Sequence, residues 1–355
     1  MLNLNQLWRK ILLSLVFCAV VFIGLSFYTN LSELTKAFAQ LSLLYLPVLF
    51  FLSFCNYIVR FFKWDYYLSI LEIKITRGQS FGIFLAGLIM SISPGKFGEV
   101  IKSFLIKGVN DTPISRSAPV VVAERLTDFM GLIVLVMLGL SSSKASFEVI
   151  VSSIILVCII LGILSSNRLS LTIINKLERG IIFLFPDHQG ESDPPAESQP
   201  AGFFQKLKKI MISSPQKLRI AYESIAILIT IKRLIWATVL SVISWGFEGI
   251  AFIILLHGFG YDFSITRGIF IYAFSIIVGA LTMLPGGVGL TETSLSGLLI
   301  LNGLPTSISV AATLIIRITT LWFAVFIGAV VLTYLLKKVF RSDENNENEL
   351  LQDEQ

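Results

Sequence analysis

The chain has 355 residues, 28 Lys+Arg, 23 Asp+Glu and a formal net charge of +5. Only 14% of its residues are charged and 55% are hydrophobic, whereas a soluble globular chain runs near 25% charged. With a mean hydropathy of +0.81, this excludes a soluble enzyme, a disordered chain and a nucleic-acid-binding domain, and predicts an integral membrane protein.

The first apolar run, Ile11–Tyr28, follows Arg9 and Lys10. It is too long for a signal-peptide core and has no small-residue cleavage site, so it reads as a span with the N-terminus inside. Leu43–Val59 is the second run, followed by Arg60, Lys63, Lys74 and Arg77. Pro119–Leu140, Phe147–Ser165, Leu234–Leu256 and Ser309–Leu336 complete a set of about six full spans. At about 1.5 Å per residue, each is long enough to cross roughly 30 Å of hydrocarbon. Cys18, Cys55 and Cys158 fall in apolar runs and form neither a disulfide framework nor a metal-ligand spacing.

Two apolar runs are interrupted. Phe81–Ser93 meets Pro94-Gly95, and Gly268–Leu284 meets Pro285-Gly286-Gly287. Short second segments follow, Val100–Ile106 and Ser294–Leu301. Short, Gly/Pro-broken segments at corresponding places point to discontinuous helices around a midplane site. Both are read as re-entrant hairpins, with one kinked span each as the alternative. The hydrophilic stretch 166–233 reads as a cytoplasmic loop. Its centre, Pro186–Pro200, is flexible, and it is flanked by basic amphipathic pieces such as Phe203–Ile210. The acidic tail 342–355 reads as disordered.

The sequence repeats itself. Ile75-Thr76-Arg77-Gly78 recurs as Ile265-Thr266-Arg267-Gly268, Pro94-Gly95 as Pro285-Gly286, and Arg125-Leu126-Thr127 as Arg317-Ile318-Thr319. The offsets are 190, 191 and 192, which indicates an internal duplication. The chain is therefore expected to be a single membrane domain, 1–355, with a first repeat at 43–140 and a second at 234–338. With both hairpins re-entrant, 22 Lys/Arg face the cytoplasm, 3 face outside and 3 lie in the membrane, and both termini are cytoplasmic. Three spans separate the hairpins, so the second repeat is inverted. Inverted repeats place a substrate site at their interface and support alternating access. The expected location is the cytoplasmic membrane.

Lys96, Glu99, Glu124, Arg125, Asp128, Glu248, Glu292 and Arg317 lie within the apolar segments or their breaks. Each is costly in lipid, so each is expected to face protein or a wet cavity. Ion pairs that hold the bundle together are the plain alternative. The functional reading starts from the breaks. Pro suits the first turn of a helix, and the N–H groups beyond Pro94-Gly95 and Pro285-Gly286-Gly287 would form an anion site at membrane depth. Gly98 and Gly289 would permit close backbone approach. Lys96 strengthens the first site, while Arg125 and Arg317 supply pseudo-symmetric guanidinium groups suited to phosphate. Glu99, Glu124, Asp128 and Glu292 would pair the arginines when the site is empty, accept a cationic or sugar headgroup, or carry any coupled proton. No cofactor, metal or nucleotide motif is present.

Ser93-Pro94-Gly95-Lys96-Phe97-Gly98-Glu99, Glu124-Arg125-Leu126-Thr127-Asp128, Pro285-Gly286-Gly287-Val288-Gly289, Glu292, Arg317 and Trp322 resemble the lysylphosphatidylglycerol synthase transmembrane-region, or flippase-like, family. The resemblance covers roughly Trp8 to Lys338. It implies translocation of a membrane phospholipid or polyprenyl-phosphate lipid, with a separate lipid-modifying transferase as a partner. About twenty mostly polar residues follow Leu336, too few for an aminoacyl-transferase domain, so this chain is expected to transport rather than synthesise. The second reading is a membrane-bound transferase, or an accessory subunit of lipid-linked glycosyl or aminoacyl transfer, with Asp128 or Glu99 as acid or base.

Overall fold

The computed structural model describes residues 31–93, 98–140 and 215–335. The expected spans Ile11–Tyr28 and Phe147–Ser165, the loop centre Pro186–Pro200, the basic pieces near Phe203 and the tail 342–355 lie outside the described residues. So do Pro94, Gly95 and Lys96.

Among the described residues every regular element is helical. We label them α1 (Leu31–Gln40), α2 (Tyr45–Ile70), α3 (Arg77–Gly87), α4 (Ile101–Asn110), α5 (Ile114–Leu140), α6 (Pro215–Leu228), α7 (Ile231–Gly258), α8 (Ile265–Leu281), α9 (Leu290–Leu301) and α10 (Thr306–Leu335). Helices α2, α7 and α10 have 26, 28 and 30 residues and are apolar enough to cross a membrane. At about 1.5 Å per residue each exceeds the roughly 30 Å hydrocarbon core. Helix α5 matches them in length at 27 residues, but it carries Glu124, Arg125 and Asp128 and depends on partners for those charges. The chain is thus a polytopic all-α membrane protein.

Both copies of Ile-Thr-Arg-Gly fall at the start of a helix. Thr76 Oγ1 accepts the Gln79 N–H at 3.4 Å, and Gln79 Oε1 accepts the Thr76 N–H at 3.2 Å, which caps α3. Ser264 Oγ accepts the Arg267 N–H at 3.4 Å at the start of α8. Each of these helices ends in tighter turns, Leu88–Ile92 after α3 and Pro285–Gly287 beyond α8. Helices α3 and α4 pack on each other, as do α8 and α9, and the two tight-turn segments touch.

The centre of the bundle is α7, packed against α2, α5 and α8. Helix α5 approaches α7 most closely at Gly131. A Cβ there would lie 2.7 Å from Ser241 Cβ and 3.0 Å from backbone atoms of Ser241 and Val242. Small residues permit such approach, and in lipid close packing rather than hydrophobicity drives association. Helix α6 docks on α5 and buries Ser224 and Leu228.

One boundary differs from expectation. The run ending at Val59 continues as helix to Ile70, because Tyr57, Phe61, Trp64, Tyr67 and Leu68 keep one face buried. Arg60 and Lys63 are therefore buried inside α2 rather than exposed in a cytoplasmic loop. Lys102, also expected to face the cytoplasm, is buried in α4. Moving these three leaves 19 cytoplasmic cations against 3 outside on the expected topology.

Candidate functional site

Burial of so many charges works only through mutual pairing. Asp128 on α5 is the hub of one network. The Lys63 ammonium donates to Asp128 Oδ1 and, at 2.7 Å, to Ser241 Oγ, which itself donates to Asp128 Oδ1 at 3.1 Å. Arg125 Nη2 lies 3.2 Å from both Asp128 Oδ2 and Glu99 Oε2. Arg60 Nη2 is 3.9 Å from Asp128 Oδ2. Behind them, Lys102 Nζ donates to Glu124 Oε2 at 2.6 Å and to Glu99 Oε2 at 3.2 Å. Its ammonium also stands 4.4 Å over the Trp64 ring, a cation–π contact.

The second network is centred on Arg317. Its Nε donates to Glu292 Oε1 and its Nη2 to the Gly286 carbonyl, both at 2.6 Å. Gly286 has φ 63, a left-handed conformation that suits glycine. Glu292 Oε2 accepts the Gly289 N–H at 2.6 Å. Directly after Arg317, α10 widens into a π-helical turn, Ile318–Trp322. Such turns break the regular carbonyl ladder and recur at functional sites. Here the Tyr57 hydroxyl donates to the Thr320 carbonyl at 2.6 Å.

Corresponding residues make corresponding pairs. Arg125 meets Glu99, and Arg317 meets Glu292. Each acid belongs to the segment after a Pro-Gly break, and each arginine to the long helix that follows.

Between the two networks lies a cavity of about 240 Å³. Arg60, Arg125, Asp128, Glu248, Gly286, Gly287 and Arg317 all line it. Of the residues singled out in the sequence, Arg125, Asp128, Glu248, Gly286, Gly287 and Arg317 therefore reach this space. Glu99, Glu124 and Glu292 stand behind it as buried partners of the cations. Pro285 and Gly289 belong to the break that carries Gly286, and the half-buried Gly98 donates its N–H to Ser93 Oγ at 2.9 Å. At the second break three backbone N–H groups are already engaged. The N–H groups of Gly287, Val288 and Gly289 are taken by Leu284 O, Pro285 O and Glu292 respectively. The Arg317 side chain adds a cationic surface there.

Arg60, Tyr57 and Tyr272 also line the cavity and were not singled out in the sequence. Tyr272 donates its hydroxyl to Glu248 Oε2 at 2.6 Å. A usable signal existed for Arg60 and Lys63: three membrane-depth acids in one repeat were matched by too few cations.

A polytopic helical bundle that encloses a small, charge-lined cavity is the class of protein defined so far. The chain belongs to the family described as the lysylphosphatidylglycerol synthase TM region, which matches residues 10–328. It is similar to a UPF0104 membrane protein of Pyrococcus horikoshii, 25% identical over 269 residues, covering 73% of this chain and 76% of that one. A UPF0104 membrane protein of Methanothermobacter thermautotrophicus is 33% identical over 92 residues, covering 26% of this chain and 28% of that one.

Proposed function

We propose that the protein moves a phosphate-bearing membrane lipid between leaflets by alternating access, with the headgroup held between Arg125 and Arg317. The observation that carries this reading is the cavity itself. It brings together one arginine from each copy of the duplicated motif, each backed by an acid from the segment after its break. Its size supports a headgroup site. Pockets that enclose a drug-sized ligand run to about 300–1,000 Å³, so about 240 Å³ suits a headgroup while the acyl chains stay in lipid.

The two broken segments act as inverted re-entrant hairpins, related by the 190–192 residue offset, and their touching turns form the moving boundary of the site. The cytoplasmic membrane is the setting, with both termini inside. The excess of cations on one side supports that orientation. A separate transferase supplies or consumes the lipid.

The test is lipid transfer in proteoliposomes with headgroup-labelled phosphatidylglycerol, the outer-leaflet label being quenched by dithionite. Wild type is expected to expose label from both leaflets. R125Q and R317Q are each expected to slow this at least tenfold, because each loses a charge-assisted contact of about 1.5–3 kcal/mol. Wild-type rates in both variants refute the reading.

A further inference from the structure

The network around Asp128 is short of one carboxylate. Among the described residues it joins four cations, Arg60, Lys63, Lys102 and Arg125, to three acids, Glu99, Glu124 and Asp128. The surplus is not spread evenly. Lys63 donates to Asp128 and Ser241, and Lys102 to Glu99 and Glu124. Arg60 is left with the longest pairing, 3.9 Å to an oxygen that Arg125 approaches to 3.2 Å. Its side chain is only 5% exposed, yet its Nε and Nη2 have no hydrogen-bond partner among the described residues. It lines the same cavity as Arg125, whose Nε and Nη2 also lack hydrogen bonds while held at ion-pair distance.

A buried guanidinium with unused donors is expensive unless something completes it. A planar group with forked donors suits the oxygens of a phosphate. We infer that Arg60 is an anion contact of this cavity and, together with Arg125, takes one phosphate group. Glu248 lines the same space from α7. The Arg60 contact rests on the proposed headgroup site and assigns its phosphate to a residue that the repeated motifs do not contain.

The test is ligand-induced thermal stabilisation of the purified full chain in detergent. The probes are dihexanoyl phosphatidylglycerol, sodium phosphate, and dihexanoylglycerol as a phosphate-free control. The variants are R60Q, R60K and R125Q, with the exposed R77Q as a charge control. Wild type and R77Q are expected to be stabilised by the short-chain phospholipid and not by dihexanoylglycerol. R60Q is expected to bind it on the order of tenfold to a hundredfold more weakly, the scale of one charge-assisted contact. The fold should survive in R60Q, because Lys63 and Arg125 still compensate Asp128. R60K keeps the charge without the fork, and an intermediate loss is expected.

Wild-type binding in R60Q with loss in R125Q overturns the role of Arg60 and leaves the headgroup site standing. Unchanged binding in both overturns both. Stabilisation by sodium phosphate alone, lost in R60Q, supports the anion contact and overturns the lipid reading. If R60Q does not fold and R60K binds as wild type, Arg60 is a structural charge and the inference fails.

Discussion

Replacing Glu292 by Gln removes one charge and almost no volume. Glu292 is fully buried and accepts two hydrogen bonds of 2.6 Å, from Arg317 Nε and from the Gly289 N–H. Gln offers a single acceptor oxygen, so one of these donors must face an amide NH₂. Arg317, 4% exposed, then keeps the Gly286 carbonyl as its hydrogen-bond acceptor among the described residues. Breaking a buried pair from one side costs about 3–5 kcal/mol. The surviving acceptor places the cost near the lower end, about 3 kcal/mol, or roughly a hundredfold in the unfolding equilibrium. The double variant E292Q/R317Q removes the stranded cation as well. It should be less destabilised than the sum of the single variants by about 1–3 kcal/mol. The assay is chemical unfolding in mixed micelles, followed by tryptophan fluorescence. Wild-type stability in E292Q, or simple additivity in the double variant, refutes the claim that this pair supports the second break.

Other consequences follow from the packing. G131A should destabilise the bundle by about 1–3 kcal/mol, since the new methyl group meets the α7 backbone at Ser241 and Val242; a lowered midpoint in the same unfolding assay would show it. Y57F should remove one of the two donors to the Thr320 carbonyl, leaving the Phe323 N–H, at a cost of about 0.5–1.5 kcal/mol. Because Arg317 opens that turn, lipid transfer in Y57F should slow as well. T76A should lose about 1 kcal/mol through the missing helix cap, with transfer unchanged.

Much of this architecture is legible in the sequence because lipid demands long, uninterrupted apolar helices. The runs at Pro119–Leu140, Leu234–Leu256 and Ser309–Leu336 correspond to α5, α7 and α10 to within a few residues at each end. The Pro-Gly breaks stand out for the converse reason: Pro and Gly have no place in such a run without a purpose. Arg125, Asp128 and Arg317 were visible because charges are rare at membrane depth. Arg60 and Lys63 were hidden by their position. A cation just after an apolar run looks like the flank of a span, and only Glu124 and Asp128 on α5 and Glu99 just before α4 reveal that it is inside. The engagement of the second break was not legible because Glu292, three residues into the helix, caps Gly289 itself. That contact depends on how Arg317 orients the carboxylate, which spacing alone does not fix.

The central claim is that the protein changes the leaflet of a lipid and not its covalent structure. The most direct measurement reconstitutes the wild-type chain with headgroup-labelled phosphatidylglycerol, follows the fraction open to dithionite, and recovers the lipid for mass analysis. The account predicts that quenching passes the half-way limit of protein-free vesicles while the lipid mass stays unchanged. Quenching that stops at that limit, or a lipid recovered with altered mass, would contradict it.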